Sequence, residues 1–443
     1  MTSSPARRAA LQILKRVEEE EAFASSLLAS WSERLREDDR ALCHELVLGV
    51  LRRQLWLDRT LAHFADRRLE TLDLEVKLAL RLGLYQLRFL SRIPPSAAVN
   101  ESVELVRGAR LKSASGFVNA VLRRATREPD FHPAASSADP LERLAIRTSH
   151  PLWLLERWIE SFGFDEVVAL AGANNEAAPI AFRLTAKTIN DEVGERIIQE
   201  LQRTGAQISP SKVTPNAWRM AGETKLLRKF AREGLVYLQD EGSQLVAHLL
   251  GAKNGERVLD VCAAPGSKTT LISALEPQAM IAAGDLHQHR LRTLRELSII
   301  QGCGPIHLIA YDGTRDLPFA DASFNRVLVD APCSGTGTLR HNPEIRWRLT
   351  PGKIAELSWL QKTILANSAA KVRVGGLLIY STCSVERDEN EVVIEHFLKN
   401  NSAFKRARLD GNPDLLLESG AIRTWPHRHD VDSFFVAAVR RTV

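Results

Sequence analysis

Two cysteines of this chain stand in polar company. Cys333 lies in "DAPCSGTG" and Cys383 in "YSTCSVERDENE". Most free cysteines are inert core residues, so the setting needs a chemical reason. Asp330 opens the first block. One aspartate and two thiols suit a demanding reaction, alkylation at C5 of a pyrimidine. C5 is a poor nucleophile and becomes enamine-like once a thiolate has added to C6. Such chemistry needs a nucleophile, a group on N3 and a base for the C5 proton. Asp330, Cys333 and Cys383 supply candidates for all three. Plainer roles stand beside this one: each cysteine as a packed thiol, or the two as a redox pair.

Cys383 follows the apolar run "GLLIYS" and precedes a helix expected to begin near Ser384. A helix N-terminus favours a thiolate. Glu386, Asp388 and Glu389 oppose it unless they face outward or are paired by Arg387.

A second set of residues suits a cofactor. In "VLDVCAAPGSKT" a strand ends at Asp260 to Cys262, Pro265 and Gly266 make a tight turn, and a helix starts near Lys268. The small residues admit a ligand close to the backbone, and the stretch is not a GxGxxG dinucleotide fingerprint. "AAGD" ends the next strand in Asp285, where a carboxylate suits a ribose diol. Asp312 ends a third strand, in reach of an adenine edge. Three acidic residues at successive strand ends fit a nucleoside without phosphates, such as S-adenosyl-L-methionine. A single aspartate of this kind would usually cap a helix or turn; three in order favour the ligand.

The elements that must position these residues can be read in outline. From about residue 246, short apolar runs ("RVLDVCA", "AMIAAGD", "PIHLIAYD", "NRVLVDAP", "GLLIYS") alternate with helical patterns. That alternation predicts a parallel sheet covered by helices on both faces, with ligands beyond the carboxyl ends of its strands. The closing "SFFVAAVRR" reads as an added edge strand. Residues 5 to about 127 read as amphipathic helices. "IPP" at Ile93 to Pro95 stops one of them, and Ser96 or Asn100 is a candidate cap for the next. "REPDFHPAASSADP" is a linker. The stretch between mixes helices with the short strands "IAFRLT", "AWRMA" and "GLVYLQ". The expected domains are therefore 1–140, helical; 141–245, small and α+β; and 246–443, α/β and Rossmann-like.

Composition sets bounds. The chain has 443 residues, 44% hydrophobic and 26% charged, with a net charge of +5. Those are ordinary values for a globular protein of several domains. No apolar run approaches the roughly 20 residues that span a bilayer, and "MTSSPARRAALQILKRVEEEEA" turns acidic too soon for a secretory signal. The five cysteines are scattered and odd in number, with no CxxC pair. That pattern argues against zinc or a disulfide framework and for a reducing cytoplasm. Nine basic residues against three acidic ones lie between Arg81 and Glu128. The excess is either a solvated helix face or a phosphate-binding surface.

The blocks "CAAPGSKT", "DAPCSGTGTLRHNPEIRW" and "STCSVERDENE" resemble the signatures of the RNA 5-methylcytosine methyltransferases, the Nol1/Nop2/Sun family. "LDRTL", "RLGLYQLRFLSRIPPSAAVNESVELV" and "GFVNAVLRR" resemble the NusB-type helical domain of its RsmB (Sun/Fmu) branch, and "GLVYLQDEGSQLV" and "WPHRHDVDSFFVAAVRR" also fit. The resemblance spans nearly the whole chain. It implies a NusB-like RNA-binding domain, a small RRM-like region and a Rossmann-like class I methyltransferase domain. The implied reaction is S-adenosyl-L-methionine-dependent methylation of one cytosine of 16S rRNA, by a cytoplasmic monomer without an obligate protein partner, membrane or metal. In the family's pattern Cys383 attacks C6, Cys333 assists release and Asp330 contacts N3 of the cytosine. Cofactor contacts fall on Cys262, Ala263, Ala264, Pro265, Gly266, Ser267, Lys268, Asp285, Asp312 and Asp330, with Arg290 a lesser candidate. Ser267 stands where the family usually has glycine, and Ser433 in "DSFF" replaces another. Two other readings are an RNA-binding module with an inactive methyltransferase domain and a thiol oxidoreductase. The intact Asp330, Cys333 and Cys383 argue against the first, and the cofactor-type aspartates against the second. A DNA cytosine methyltransferase would need no Thr-Cys block.

Overall fold

A computed structural model describes residues 3–32, 34–135, 137–189, 192–222 and 224–443. The chain divides into two compact units, Met1–Ala177 with Leu339–Arg348, and Ala178–Thr338 with Leu349–Val443.

The first unit is helical. Helices over Pro5–Glu19, Glu37–Arg52, Gln54–Phe64, Leu74–Phe89, Pro95–Gly108 and Ser115–Arg127 surround one apolar core. The first helix shows the pattern: Ala6, Ala9, Ala10, Ile13 and Val17 are buried, at the three- and four-residue spacing of one helix face. Helix Leu74–Phe89 ends ahead of Pro94, as expected. The next begins at Pro95 itself, where a missing N–H costs nothing, and neither Ser96 nor Asn100 caps it. The basic segment 81–128 is not uniformly a surface. Arg81 is 3% exposed and paired with Asp58 and Glu18, a buried strut. Arg88 turns its guanidinium onto the carbonyls of Ala125, Glu128 and Pro129. Arg92, Arg110, Lys112 and Arg127 are exposed.

The segment Leu339–Arg348, which follows the Pro-Cys block, folds as part of this helical unit. Arg346 is fully buried and donates to the carbonyls of Thr148 and Ser149 and to Asn175 Oδ1, at 3.3, 3.1 and 3.1 Å. Arg348 donates to the carbonyls of Val17, Glu21 and Ala22. Glu344 Oε1 accepts the Ala24 N–H at 2.8 Å. A polar, loop-like sequence is thus held by carbonyls in or just past the ends of the unit's own helices. Burial pushes the Arg346 guanidinium down to about 9.

The second unit opens with β1 (Ile180–Leu184), β2 (Gln207–Pro210), β3 (Ala217–Ala221) and β4 (Val236–Leu238). With helices Glu192–Arg203 and Lys225–Arg232 they make a β-α-β-β-α-β unit, antiparallel, in the order β2-β3-β1-β4. That is ferredoxin-like topology. Phe182, Met220 and Val236 pack on Ile197, Leu201 and Phe230 of the helices. The sheet's other face is covered too. Arg183, 1% exposed, donates to the Ser267 carbonyl, Thr270 Oγ1 and Gln301 Oε1.

The remaining strands are β5 (Arg257–Asp260), β6 (Met280–Asp285), β7 (Ile306–Ala310), β8 (Phe324–Asp330), β9 (Val372–Thr382), β10 (Phe404–Ala407), β11 (Ile422–Arg423) and β12 (Phe435–Arg441). They form one sheet in the order β10-β12-β9-β8-β5-β6-β7, with β11 beside β12. The five strands from β9 to β7 are parallel, as the apolar runs require. The closing run is not an edge strand. β12 lies between β9 and β10, antiparallel to both, because β10 supplies the outer hydrogen bonds. The order reverses between β5 and β8, a switch point that opens a crevice at the strands' carboxyl ends. The fold is an all-α bundle, a small α+β region and a Rossmann-like sheet.

Candidate active site

Asp260, Asp285 and Asp330 end the neighbouring strands β5, β6 and β8. The turn after β5 is shaped by Gly266, whose φ is +114° and where a Cβ would lie 2.6 Å from Leu294 Cγ. Glycine is required there on both counts. Ser267 is already the first residue of helix Ser267–Leu275, so ordinary helical backbone suffices and the serine is accommodated. Lys268, nearly buried, reaches back to Asp330 Oδ2 at 2.7 Å. Burial lowers the pKa of its ammonium, but the charge and hydrogen bond of Asp330 outweigh this and raise it. Ser381 Oγ donates to the other Asp330 oxygen at 2.8 Å. Asp330 is therefore a carboxylate anchored from two sides.

Asp285 Oδ1 accepts the His287 N–H at 2.9 Å, and its Oδ2 lies 3.5 Å from Arg290 Nη1. Arg290 Nη2 also donates to the Ala264 carbonyl at 2.6 Å, tying the turn to β6. Asp312 sits two residues past β7 and is half-buried. It accepts the Thr314 hydroxyl and N–H, which hold its pKa below the usual carboxylate range. Asp260 is the opposite case. It is 1% exposed, takes one hydrogen bond from Thr269 Oγ1 at 2.7 Å, and burial pushes it up to about 7. Its other oxygen, Oδ1, is buried without a hydrogen-bond partner among the described residues. The Cys262 thiol is pushed well above its ordinary value, by burial first and then by Asp260, Asp330 and Asp285. A resident thiol that resists ionisation is not a nucleophile. Two of these three carboxylates have a cationic partner, Asp330 in Lys268 and Asp285 in Arg290.

The two remaining cysteines meet. Cys333 Sγ and Cys383 Sγ are 3.4 Å apart, both half-buried, from loops fifty residues apart in sequence. Cys333 is pushed well above the ordinary thiol value by its hydrogen bond with Cys383, then by burial, then by the charges of Cys383 and Glu389. The expected helix start near Ser384 is corrected: a 3-10 turn spans Arg387–Glu389 and the helix runs Glu391–Asn400. Bonds from Asn390 to Thr382 and Ser384 hold the chain in a loop, so Cys383 does not sit on a helix N-terminus. The acidic run does not face outward either, since Glu386 and Glu389 are 2% and 0% exposed. Gly337 closes the site. Its N–H donates to the Cys383 carbonyl and its carbonyl accepts the Ser433 N–H, both at 2.9 Å. Ser433 rests its hydroxyl on the Thr424 carbonyl at 2.8 Å, so this replacement is accommodated as well.

Asp312 bonds its own neighbours Thr314 and Arg315, and the other expected site residues fall into two clusters joined by Lys268 and Asp330. Sequence reasoning missed Ser381 and the buried role of Glu389. One signal was present: each of the two cysteines is followed by a serine, Ser334 and Ser384, and both serines bond Glu389. Among the described residues no group of three or more His, Cys, Asp and Glu side chains could hold a metal ion.

Comparison with known proteins agrees with this arrangement. Residues 247–440 match the family described as 16S rRNA methyltransferase RsmB/F. Residues 4–127 match the NusB family, and 150–226 the ferredoxin-like domain of RsmF/B-like methyltransferases. The chain is 33% identical to the probable ribosomal RNA small subunit methyltransferase B of Bacillus subtilis, over 100% of both chains. It is 35% identical to ribosomal RNA small subunit methyltransferase B of Pseudomonas putida, over 95% of this chain and 93% of that one. The crystal structure of PH0851 superposes with a TM-score of 0.85 at 26% identity, covering 99% of each chain. With a relative above 30% identity along its full length, and the two cysteine blocks joined in one site, the chain belongs to the RsmB family of ribosomal RNA small subunit methyltransferases.

Proposed function

We propose that this chain methylates C5 of one cytosine in 16S rRNA, with S-adenosyl-L-methionine as donor and a covalent bond between Cys383 and C6 on the way. The 3.4 Å approach of the two thiols, three residues along the chain from an anchored Asp330, carries the reading. The crevice fits the donor. Its strand-end carboxylates suit a ribose, and the Gly266 turn admits a ligand close to the backbone. Asp285 would take the ribose, Asp312 the adenine edge, and the turn from Cys262 to Lys268, with Ala263, Ala264 and Pro265, the remainder. When bound, S-adenosyl-L-methionine supplies an electrophilic methyl group on a sulfonium.

The chain's own residues do the rest. Cys383 adds to C6 as a thiolate, and as the electron pair moves onto N3 Asp330 passes that nitrogen a proton drawn from the Lys268 ammonium beside it. Lys268 and Ser381 keep that carboxylate in place. Cys333 stays protonated beforehand, largely because of Cys383. Once Cys383 is a neutral thioether, that hydrogen bond and charge are gone, and Cys333 becomes the stronger acid. It gives its proton to solvent, and its thiolate then takes the C5 proton as the C6–S bond breaks, Cys383 leaves as a thiolate and N3 returns its proton through Asp330. Ribosomal RNA in a reducing cytoplasm suits two free thiols at this distance.

Denaturing gels with labelled 16S rRNA test the division of labour. Cys333→Ala should leave a slow-migrating adduct, since addition occurs and release stalls. Cys383→Ala should leave none and turn over nothing. The reverse pattern would make Cys333 the nucleophile. No adduct from either variant, with methylation retained in both, would remove covalent catalysis. Mapping 5-methylcytosine on 16S rRNA with and without the protein identifies the base.

A further inference from the structure

Two thiols on separate loops do not stay 3.4 Å apart without a fastening. Between the loops lies Glu389, 0% exposed. Its Oε1 accepts the Ser334 N–H and Gln361 Nε2, both at 2.9 Å. Its Oε2 accepts the hydroxyls of Ser334 and Ser384, both at 2.5 Å. Ser334 adjoins Cys333 and Ser384 adjoins Cys383. One carboxylate therefore grips the residue next to each thiol. The grip is reinforced. Ser334 Oγ and Ser384 Oγ are 3.0 Å apart, and Thr336 Oγ1 lies 3.3 and 3.2 Å from them. Thr336 Oγ1 also accepts the Val385 N–H at 3.1 Å. Glu389 itself is fixed by Tyr380, whose hydroxyl donates to the Glu389 carbonyl.

We propose that Glu389 is a positioning residue, the carboxylate that clamps the Cys333 loop to the Cys383 loop and so sets the distance between the two thiols. Burying a carboxyl group is costly unless its oxygens are hydrogen-bonded, and here every donor comes from the cysteine loops or the helix behind them. Full satisfaction of the group is also what makes the clamp stiff. A chemical step needing one thiol on C6 and the other near the C5 proton depends on that separation. The inference rests on the proposed covalent reaction for its catalytic meaning, but the clamp is measurable without RNA.

Diamide is the probe. It takes two electrons and two protons from Cys333 and Cys383 together, leaving an S–S bond and the hydrazine. Digestion without reductant and mass spectrometry identify that disulfide apart from the other three cysteines. Wild-type thiols at 3.4 Å should join fast. Glu389→Ala should slow the disulfide roughly tenfold or more, and kcat by a larger factor, with KM for RNA within about threefold. Glu389→Gln keeps the length and one acceptor, so it should recover most of the disulfide rate. Should Glu389→Ala fail to fold, Ser384→Ala removes one strut from the acid and should show the same split in smaller measure. Unchanged disulfide rates in Glu389→Ala and Ser384→Ala would overturn the clamp, even if kcat fell. A wild-type protein that forms the disulfide fast but never methylates C5 would overturn the proposed reaction and leave the clamp standing.

Discussion

Four aspartates lie at or just past the ends of parallel strands, and their surroundings divide them. Asp312 is half-exposed and hydrogen-bonded, so its pKa falls; Asp260 is buried with one partner, so its pKa rises to about 7. The Asp260 shift has a sign for stability. In the unfolded chain this carboxyl ionises near 3.8, in the folded one near about 7. Between those values the unfolded state sheds its proton first. Stability from this group is complete below 3.8, declines as pH rises, and stays low above about 7. Asp260→Asn keeps the Thr269 bond and removes the titration. Its stability relative to wild type should rise by on the order of 2 kcal/mol between about pH 5 and about pH 8 in chemical denaturation. A difference independent of pH would mean Asp260 is ionised throughout. Asp285 makes a separate prediction. Asp285→Ala removes the acceptor proposed for the ribose and the Arg290 ion pair, so S-adenosyl-L-methionine affinity in calorimetry should drop roughly tenfold or more. Undiminished binding would take Asp285 out of the site.

At the scale of elements, the sheet ends where periodicity says it should and the loops do not. The five parallel strands, the Gly266 turn and the helix after it follow from short apolar runs and small residues, which carry local signals. What stayed hidden depends on partners distant in sequence. β2 is the four-residue "QISP", mostly exposed and without alternation. β12 became interior because β10, "FKRA", pairs with it, and no pattern in β12 announces that. The helix after Cys383 starts late because Glu389 and Asn390 spend their side chains on the loop. The sequence leaves the acidic run either outward-facing or paired by Arg387; Glu386 and Glu389 are buried, and Glu389 accepts from Ser334 and Ser384. Gly337 is a similar case. A Cβ there would lie 2.2 Å from the Ser433 carbonyl oxygen and 2.8 Å from that of Cys383. Both are backbone, so neither yields cheaply. Gly337→Ala should cost about 1–3 kcal/mol and lower turnover more than cofactor affinity. Wild-type kcat in a folded Gly337→Ala protein would show that the Cys383 loop tolerates displacement.

For the whole molecule, the division of the chain decides which experiments are meaningful. Nothing in "LRHNPEIRWR" announces that it leaves one unit and folds in the other. Yet its buried Arg346 is held by carbonyls of residues 148–149, and its half-buried Arg348 by those of residues 17–22. Deleting residues 1–140 would strip Arg348 of those acceptors and Glu344 of its Ala24 partner. A truncated chain should therefore aggregate or lose stability, and weak rRNA binding by it would say nothing about phosphate contacts. Charge neutralisation is the cleaner route. Arg110, Lys112 and Arg127 are exposed, whereas Arg81 and Arg88 serve the fold. Replacing Arg110, Lys112 and Arg127 by Gln should leave the melting temperature nearly unchanged, since surface substitutions seldom matter. If each cation meets a phosphate, the slope of log affinity against log salt should shrink by about 2–3. The methylation rate at saturating RNA should hold, because none of the three belongs to the catalytic loops. An unchanged salt slope would make this segment a solvated helix face and move the search for the RNA track elsewhere on the chain.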